Sequence, residues 1–125
     1  MSTLTPEQLA ERVKLTIDSG DKFLELLSLI GQEDADGLKK AYEAYGPSWK
    51  QRGGVGAFMM LARKWDRMER RVRHRAWDLF DAISTDRRRE GVIDDVRDLR
   101  RYLMLVEAEM RARGFDETHR DNRPE

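Results

Sequence analysis

Apolar residues recur along this chain at intervals of three and four, the period of an α-helix resting one side on a core. Leu9, Val13 and Ile17 mark the first such segment. Thr5-Pro6-Glu7-Gln8 opens it as a capping box with proline in the first turn, where a missing N–H costs nothing. Ser19-Gly20-Asp21 breaks the pattern, and Phe23, Leu24, Leu27 and Ile30 resume it as far as Gly31. A short helix is expected over about 34–45, stopped by Gly46-Pro47, because glycine ends helices and proline cannot continue them. After a loop over 46–54 the spacing predicts a long helix at about 55–77. A second, at about 90–113, is closed by Gly114. The stretch 78–89 between them reads as either a short helix or a charged connection. Nothing alternates with the period of two that a half-buried strand shows. These signs predict an all-α helical bundle of four to five helices, two of them long. Residues 1–115 form its single domain, and 116–125 are a frayed polar tail.

Stripe geometry adds a second expectation. Val55, Phe58, Ala62, Trp65 and Val72 share one face of the first long helix. Val92, Val96, Leu99, Leu103, Val106 and Met110 share one face of the last. Met60, Leu61 and Met68 fall off the main stripe. Such leftovers predict a second buried face, and therefore a homo-oligomer, a dimer or larger.

Composition narrows the chemistry. The absence of cysteine excludes disulfide scaffolds, thiolate zinc sites and Cys nucleophiles. Two histidines, His74 and His119, are too few for a His-built metal centre. The longest apolar run, Val55–Ala62, is far shorter than the ~18 residues of a membrane span. No signal-peptide pattern opens the chain, so a cytoplasmic protein with no membrane partner is expected. Net charge is zero, yet residues 63–101 carry 13 basic against 9 acidic side chains. That surplus suits phosphate, although a solvated helical surface accounts for it equally well. Nucleic acid is therefore possible but not the favoured partner.

Four acids fall where apolar residues belong. Glu69 lies near the centre of the first long helix's apolar face, and Asp66 about 60° to its side. Asp95 borders the stripe of the last helix, with Asp98 further along the same edge. An ionised carboxylate facing a core must be paired or hold a metal. In one reading Arg73, Arg97 and Arg101 neutralise these acids. In the other, Asp66, Glu69, Asp95 and Asp98 converge on a hard divalent cation, Mg²⁺ or Mn²⁺.

The motifs Asp66-x-x-Glu69 and Asp95-x-x-Asp98 resemble the paired acidic signature of the all-α, MazG-like nucleoside triphosphate pyrophosphohydrolases. Ile93–Leu99 leading into Tyr102-Leu103 is similar to that family's second motif helix. Tyr45-Gly46-Pro47-Ser48-Trp49 before a long helix resembles a phage and bacterial relative, the nucleotide modification associated domain of the first type. The resemblance, over about 40–110, implies a Mg²⁺-dependent hydrolase cutting the α–β phosphate linkage of a nucleotide. It implies Glu69 and Asp95 as catalytic carboxylates, subunits that assemble, and a link to phage nucleotide modification.

The loop before the first long helix carries its own chemistry. Gly53-Gly54 lead into a helix N-terminus, whose free N–H groups and dipole favour an anion. Lys50 and Arg52 add positive charge, and Tyr45 and Trp49 offer rings for a base. The plainer reading has the glycines permitting a tight turn while Trp49 plugs the bundle end. Two alternatives to an enzyme stand beside it. One is a non-catalytic nucleotide-binding module whose arginines have captured the carboxylates. The other is a structural or interaction protein such as a phage adaptor.

Overall fold

The computed structural model describes residues 5–11 and 21–115. They are helices joined by short turns, with no strand among them, so the fold is all-α. No helix among them is long and apolar enough to cross a membrane. The chain divides into two compact units, residues 1–46 and 47–125.

In the first unit, residues 6–11 are helical (α1). The capping box forms as its sequence dictates: the Thr5 N–H donates to Gln8 Oε1 at 2.9 Å and the Gln8 N–H to Thr5 Oγ1 at 3.1 Å. Val13, Ile17, Ser19 and Gly20 lie outside the described residues. Helix α2 then runs unbroken from Lys22 to Tyr45. The expected stop at Gly31 and restart near 34 are thereby corrected. A glycine inside a helix costs only about 1 kcal/mol, and extending an existing helix is favourable once it is nucleated. No proline follows to enforce a break. The stop at Gly46 is real: its φ is 58°, and its N–H donates to Tyr42 O at 2.8 Å.

Among the described residues, the second unit contains a 3-10 turn, η1 (Ser48–Lys50), and three helices. These are α3 (Gly53–Arg73), α4 (Leu79–Ser84) and α5 (Val92–Ala112). Helices α3 and α5 pack on each other and run antiparallel, because ion pairs join them in reversed order. Lys50, just ahead of α3, meets Glu109; Lys64 meets Asp98; Arg67 meets Asp95. Helix α3 ends four residues before the expected Trp77. There Ala76 and Trp77 turn left-handed, with φ of 56° and 65°, and the Trp77 N–H returns to Val72 O. The undecided stretch 78–89 holds the short helix α4, capped by Asp78 Oδ1, which accepts the N–H groups of Phe80 and Asp81.

The start of α5 is the most tightly built point of this unit. Asp94 Oδ2 accepts the Gly91 N–H at 2.9 Å, and Asp86 Oδ2 accepts the Val92 N–H at 2.7 Å. Ala82 and Val92 are fully buried there. Helix α3 sits at a rotation different from the one its apolar stripe predicts. Val55, Phe58 and Trp65 are exposed, while Met60, Leu61 and Met68 are half-buried. The ion pairs explain the setting. They fix Lys64 and Arg67 against α5, and Arg71 Nη2 donates to Thr85 O beyond α4. Polar anchors thus outweigh the periodicity.

Candidate functional site

The antiparallel pairing places the start of α3 beside the end of α5, and a groove opens between them. The turn that leads into it is built locally. The Lys50 N–H donates to Pro47 O and the Gln51 N–H to Ser48 O, both at 3.2 Å. Gly53 takes φ 68°, a value that L side chains rarely adopt, and so lets the chain swing into α3. The groove has a volume of about 440 Å³, within the range of small-ligand pockets. Trp49, Gly53 and Gly54 wall it on the loop side, Phe58 and Leu61 along α3, and Val106, Met110 and Phe115 on the far side.

One polar network edges this apolar trough. Glu109 Oε1 pairs with Lys50 Nζ at 2.6 Å and Glu109 Oε2 with Arg113 Nε at 2.8 Å. These hydrogen bonds, that from Lys50 foremost, hold the Glu109 carboxyl below its ordinary titration range. Two cations to one carboxylate leave the edge net positive. At the neighbouring end of α3 the N-cap residue, Arg52, gives the first N–H groups no side-chain cap, and the helix dipole puts its positive end there.

Four of the six residues nominated for substrate, Trp49, Lys50, Gly53 and Gly54, therefore line one groove. Arg52 precedes α3, is exposed and is not among the lining residues. Tyr45 closes α2 in the first unit and is exposed. The α5 half of the groove was legible only in part. Val106 and Met110 read as ordinary stripe residues, and Glu109 and Arg113 carried no motif. Only the antiparallel packing of α3 on α5, across the connection 74–91 that holds α4, brings them to the loop, and no local signal in the sequence marks that.

The four acids nominated for a metal stand apart. Asp95 is buried and its Oδ1 pairs with Arg67 Nε at 3.0 Å, while its Oδ2 has no hydrogen-bond partner. Asp98 pairs with Lys64 at 3.0 Å and lies 3.8 Å from Arg97. Glu69 is half-buried, 3.9 Å from Arg73 on the same helix, and Asp66 is exposed. Three of the four thus face a cation. Among the described residues no three His, Asp or Glu side chains gather closely enough to hold a metal.

No protein-family model, no curated protein and no solved structure matches this chain.

Proposed function

We propose that this chain is a non-catalytic binding protein whose groove takes a ligand with a flat apolar body and an anionic group, the class to which nucleotides belong. The observation that carries this reading is the convergence of Trp49, Lys50, Gly53 and Gly54 on one groove. Trp49 supplies a stacking face, and the positive end of α3 with Lys50 attracts the phosphates. The test is calorimetric titration of the full chain with a panel of ribo- and deoxynucleoside triphosphates. Stacking is worth ~1–3 kcal/mol, so Trp49→Ala should weaken binding about tenfold or more. No binding by any member at millimolar concentration, or binding indifferent to Trp49→Ala, would discard the reading. The same reading includes self-association of the chain, supported by the apolar side chains left exposed on its helices.

The Mg²⁺-dependent pyrophosphohydrolase implied by the motif resemblance is a second reading, favoured by one observation. Asp95 Oδ2 is buried without a hydrogen-bond partner, one helical turn from Asp98. This reading requires Lys64 and Arg67 to release their carboxylates to Mg²⁺ or Mn²⁺, with Glu69 and Asp66 turning towards them. Its test is pyrophosphate release from the same panel with Mg²⁺, with Glu69→Gln and Asp95→Asn as the variants expected to abolish it.

A further inference from the structure

Glu109 stands out in the groove between α3 and α5, a carboxylate at the edge where an anion is expected. Among the residues that line the groove, the charged side chains are Lys50, Glu109 and Arg113. Glu109 Oε1 faces Lys50 at 2.6 Å and Oε2 faces Arg113 at 2.8 Å. The hydrogen bond from Lys50, and after it that from Arg113, holds this carboxyl below its ordinary range, so it is ionised at neutral pH. The edge therefore offers one net positive charge. Two cations nearby do not raise that figure. Arg52 stands beside the start of α3, but its stem lies along Gly56, where an added Cβ would come 2.6 Å from Arg52 Cβ. Gly56 is about 130° round the helix from the middle of the lining residues Gly53, Gly54, Ala57, Phe58 and Leu61. Arg111, near the end of α5, pairs with Glu107 at 2.6 Å.

We infer that the groove takes nucleotides with a single phosphate, and that Glu109 is the residue that sets this limit. The inference rests on the nucleotide-binding reading above and deepens it. A phosphate ester carries about −1.5 to −2 charge at neutral pH. The net charge of the edge, with the roughly +0.5 charge of the α3 N-terminus beside it, balances one such group. The second and third phosphates of a triphosphate then have two courses. Held at the edge, they meet the Glu109 carboxylate, and like charges brought together oppose binding. Turned away from it, they stand in water and contribute nothing. Mg²⁺ does not change this balance. A protein usually holds it through one or two carboxylates beside the phosphates, and both oxygens of Glu109, the acid among the lining residues, already face cations.

Calorimetric titration of the full chain with adenosine mono-, di- and triphosphate, at fixed ionic strength, tests the inference. Wild type should bind the monophosphate tightest and the triphosphate about tenfold more weakly, with or without Mg²⁺. Glu109→Gln keeps the shape of the side chain and an oxygen for Lys50 or Arg113, but raises the edge to two net positive charges. It should tighten triphosphate binding by about tenfold or more and reverse the order, at unchanged helicity. Glu107→Gln makes the same change of net charge on a part of α5 that does not line the groove, and should keep the wild-type order. The wild-type series decides the limit without any variant. A wild type that binds the triphosphate as tightly as the monophosphate, or tighter, overturns the single-phosphate limit while the nucleotide groove stands. An order that persists in Glu109→Gln, or reverses equally in Glu107→Gln, overturns the role of Glu109. Binding of none of the three removes the nucleotide reading, and this inference with it.

Discussion

Asp95 is the residue whose environment decides most about this molecule. Its side chain is 1% exposed and pairs with Arg67, itself about one-third exposed, while the charge of Arg88 also acts on it. Removing the guanidinium takes away the direct partner of a buried carboxylate and leaves only the more distant charge of Arg88, a loss of up to about 3 kcal/mol. Arg67→Ala should therefore lower stability by that amount, while Arg63→Ala, on the exposed side of the same helix, should change it by less than ~0.5 kcal/mol. Urea melts of the two variants make the comparison, and equal effects would show that the Asp95 pair anchors nothing. Asp86 gives a residue-level prediction in pH. The Arg88 guanidinium, the Val92 N–H and the Arg88 N–H hold its carboxyl far below the usual carboxylate range. A carboxyl depressed in the folded state stabilises fully above its unfolded value of about 4, and that stability is lost as pH falls below it. Asp86→Asn should be less stable than wild type at neutral pH. The gap should close as the pH drops from about 4 towards 2, a trend that a pH series of melting curves reads directly.

Glycines separate what the sequence determines at the level of elements from what it leaves open. Gly31 and Gly91 look alike as letters, yet one lies within α2 and the other immediately precedes α5. A Cβ on Gly31 meets nothing within 4 Å, whereas one on Gly91 meets Asp86 Oδ2 at 2.5 Å. Gly31→Ala should raise stability by about 0.5–1 kcal/mol through propensity alone. Gly91→Ala should lower it by pushing the Asp86 carboxylate off the Val92 N–H. Thermal melts shifting in opposite directions are the expected outcome. The same contrast explains how far the sequence could be read. Helix ends written in capping chemistry, such as Thr5-Gln8 and Gly46-Pro47, were legible because their signals are local. The continuity of α2 through Gly31 and Gly37 was not, because an interior glycine weakens a helix without deciding its fate. The rotation of α3 was hidden as well. Its apolar stripe is clear in the letters, but Lys64, Arg67 and Arg71 set the facing side through partners 14 to 34 residues away. At the candidate site, Trp49, Lys50, Gly53 and Gly54 announced themselves as a loop before a helix. Their partners Val106, Glu109 and Met110 needed the antiparallel pairing to be known first.

At the scale of the second unit, α3 and α5 are joined by charge as well as by apolar contact, and the charge makes the stability sensitive to salt. Among the described residues, Lys50–Glu109, Lys64–Asp98 and Arg67–Asp95 are ion pairs that span this seam. The first two are partly open to solvent, where mobile ions reach them, whereas Asp95 is closed off. The screening length shrinks from about 30 Å at 0.01 M salt to about 10 Å at 0.1 M and 3 Å at 1 M. The melting temperature, measured at one chain concentration, should therefore fall as sodium chloride rises and level off once the two open pairs are screened. The residual stability at high salt belongs to Arg67–Asp95 and to the apolar contacts, which salt does not weaken. Lys64→Met keeps the stem of the side chain against α5 but removes its charge, so this variant should show a shallower salt dependence than wild type. Exposed pairs contribute only ~0–1 kcal/mol each, so the expected fall is a few degrees. A melting temperature that stays flat or climbs throughout the salt series, in wild type and Lys64→Met alike, would mean that the seam is apolar in its energetics. The ion pairs would then only set the rotation of α3.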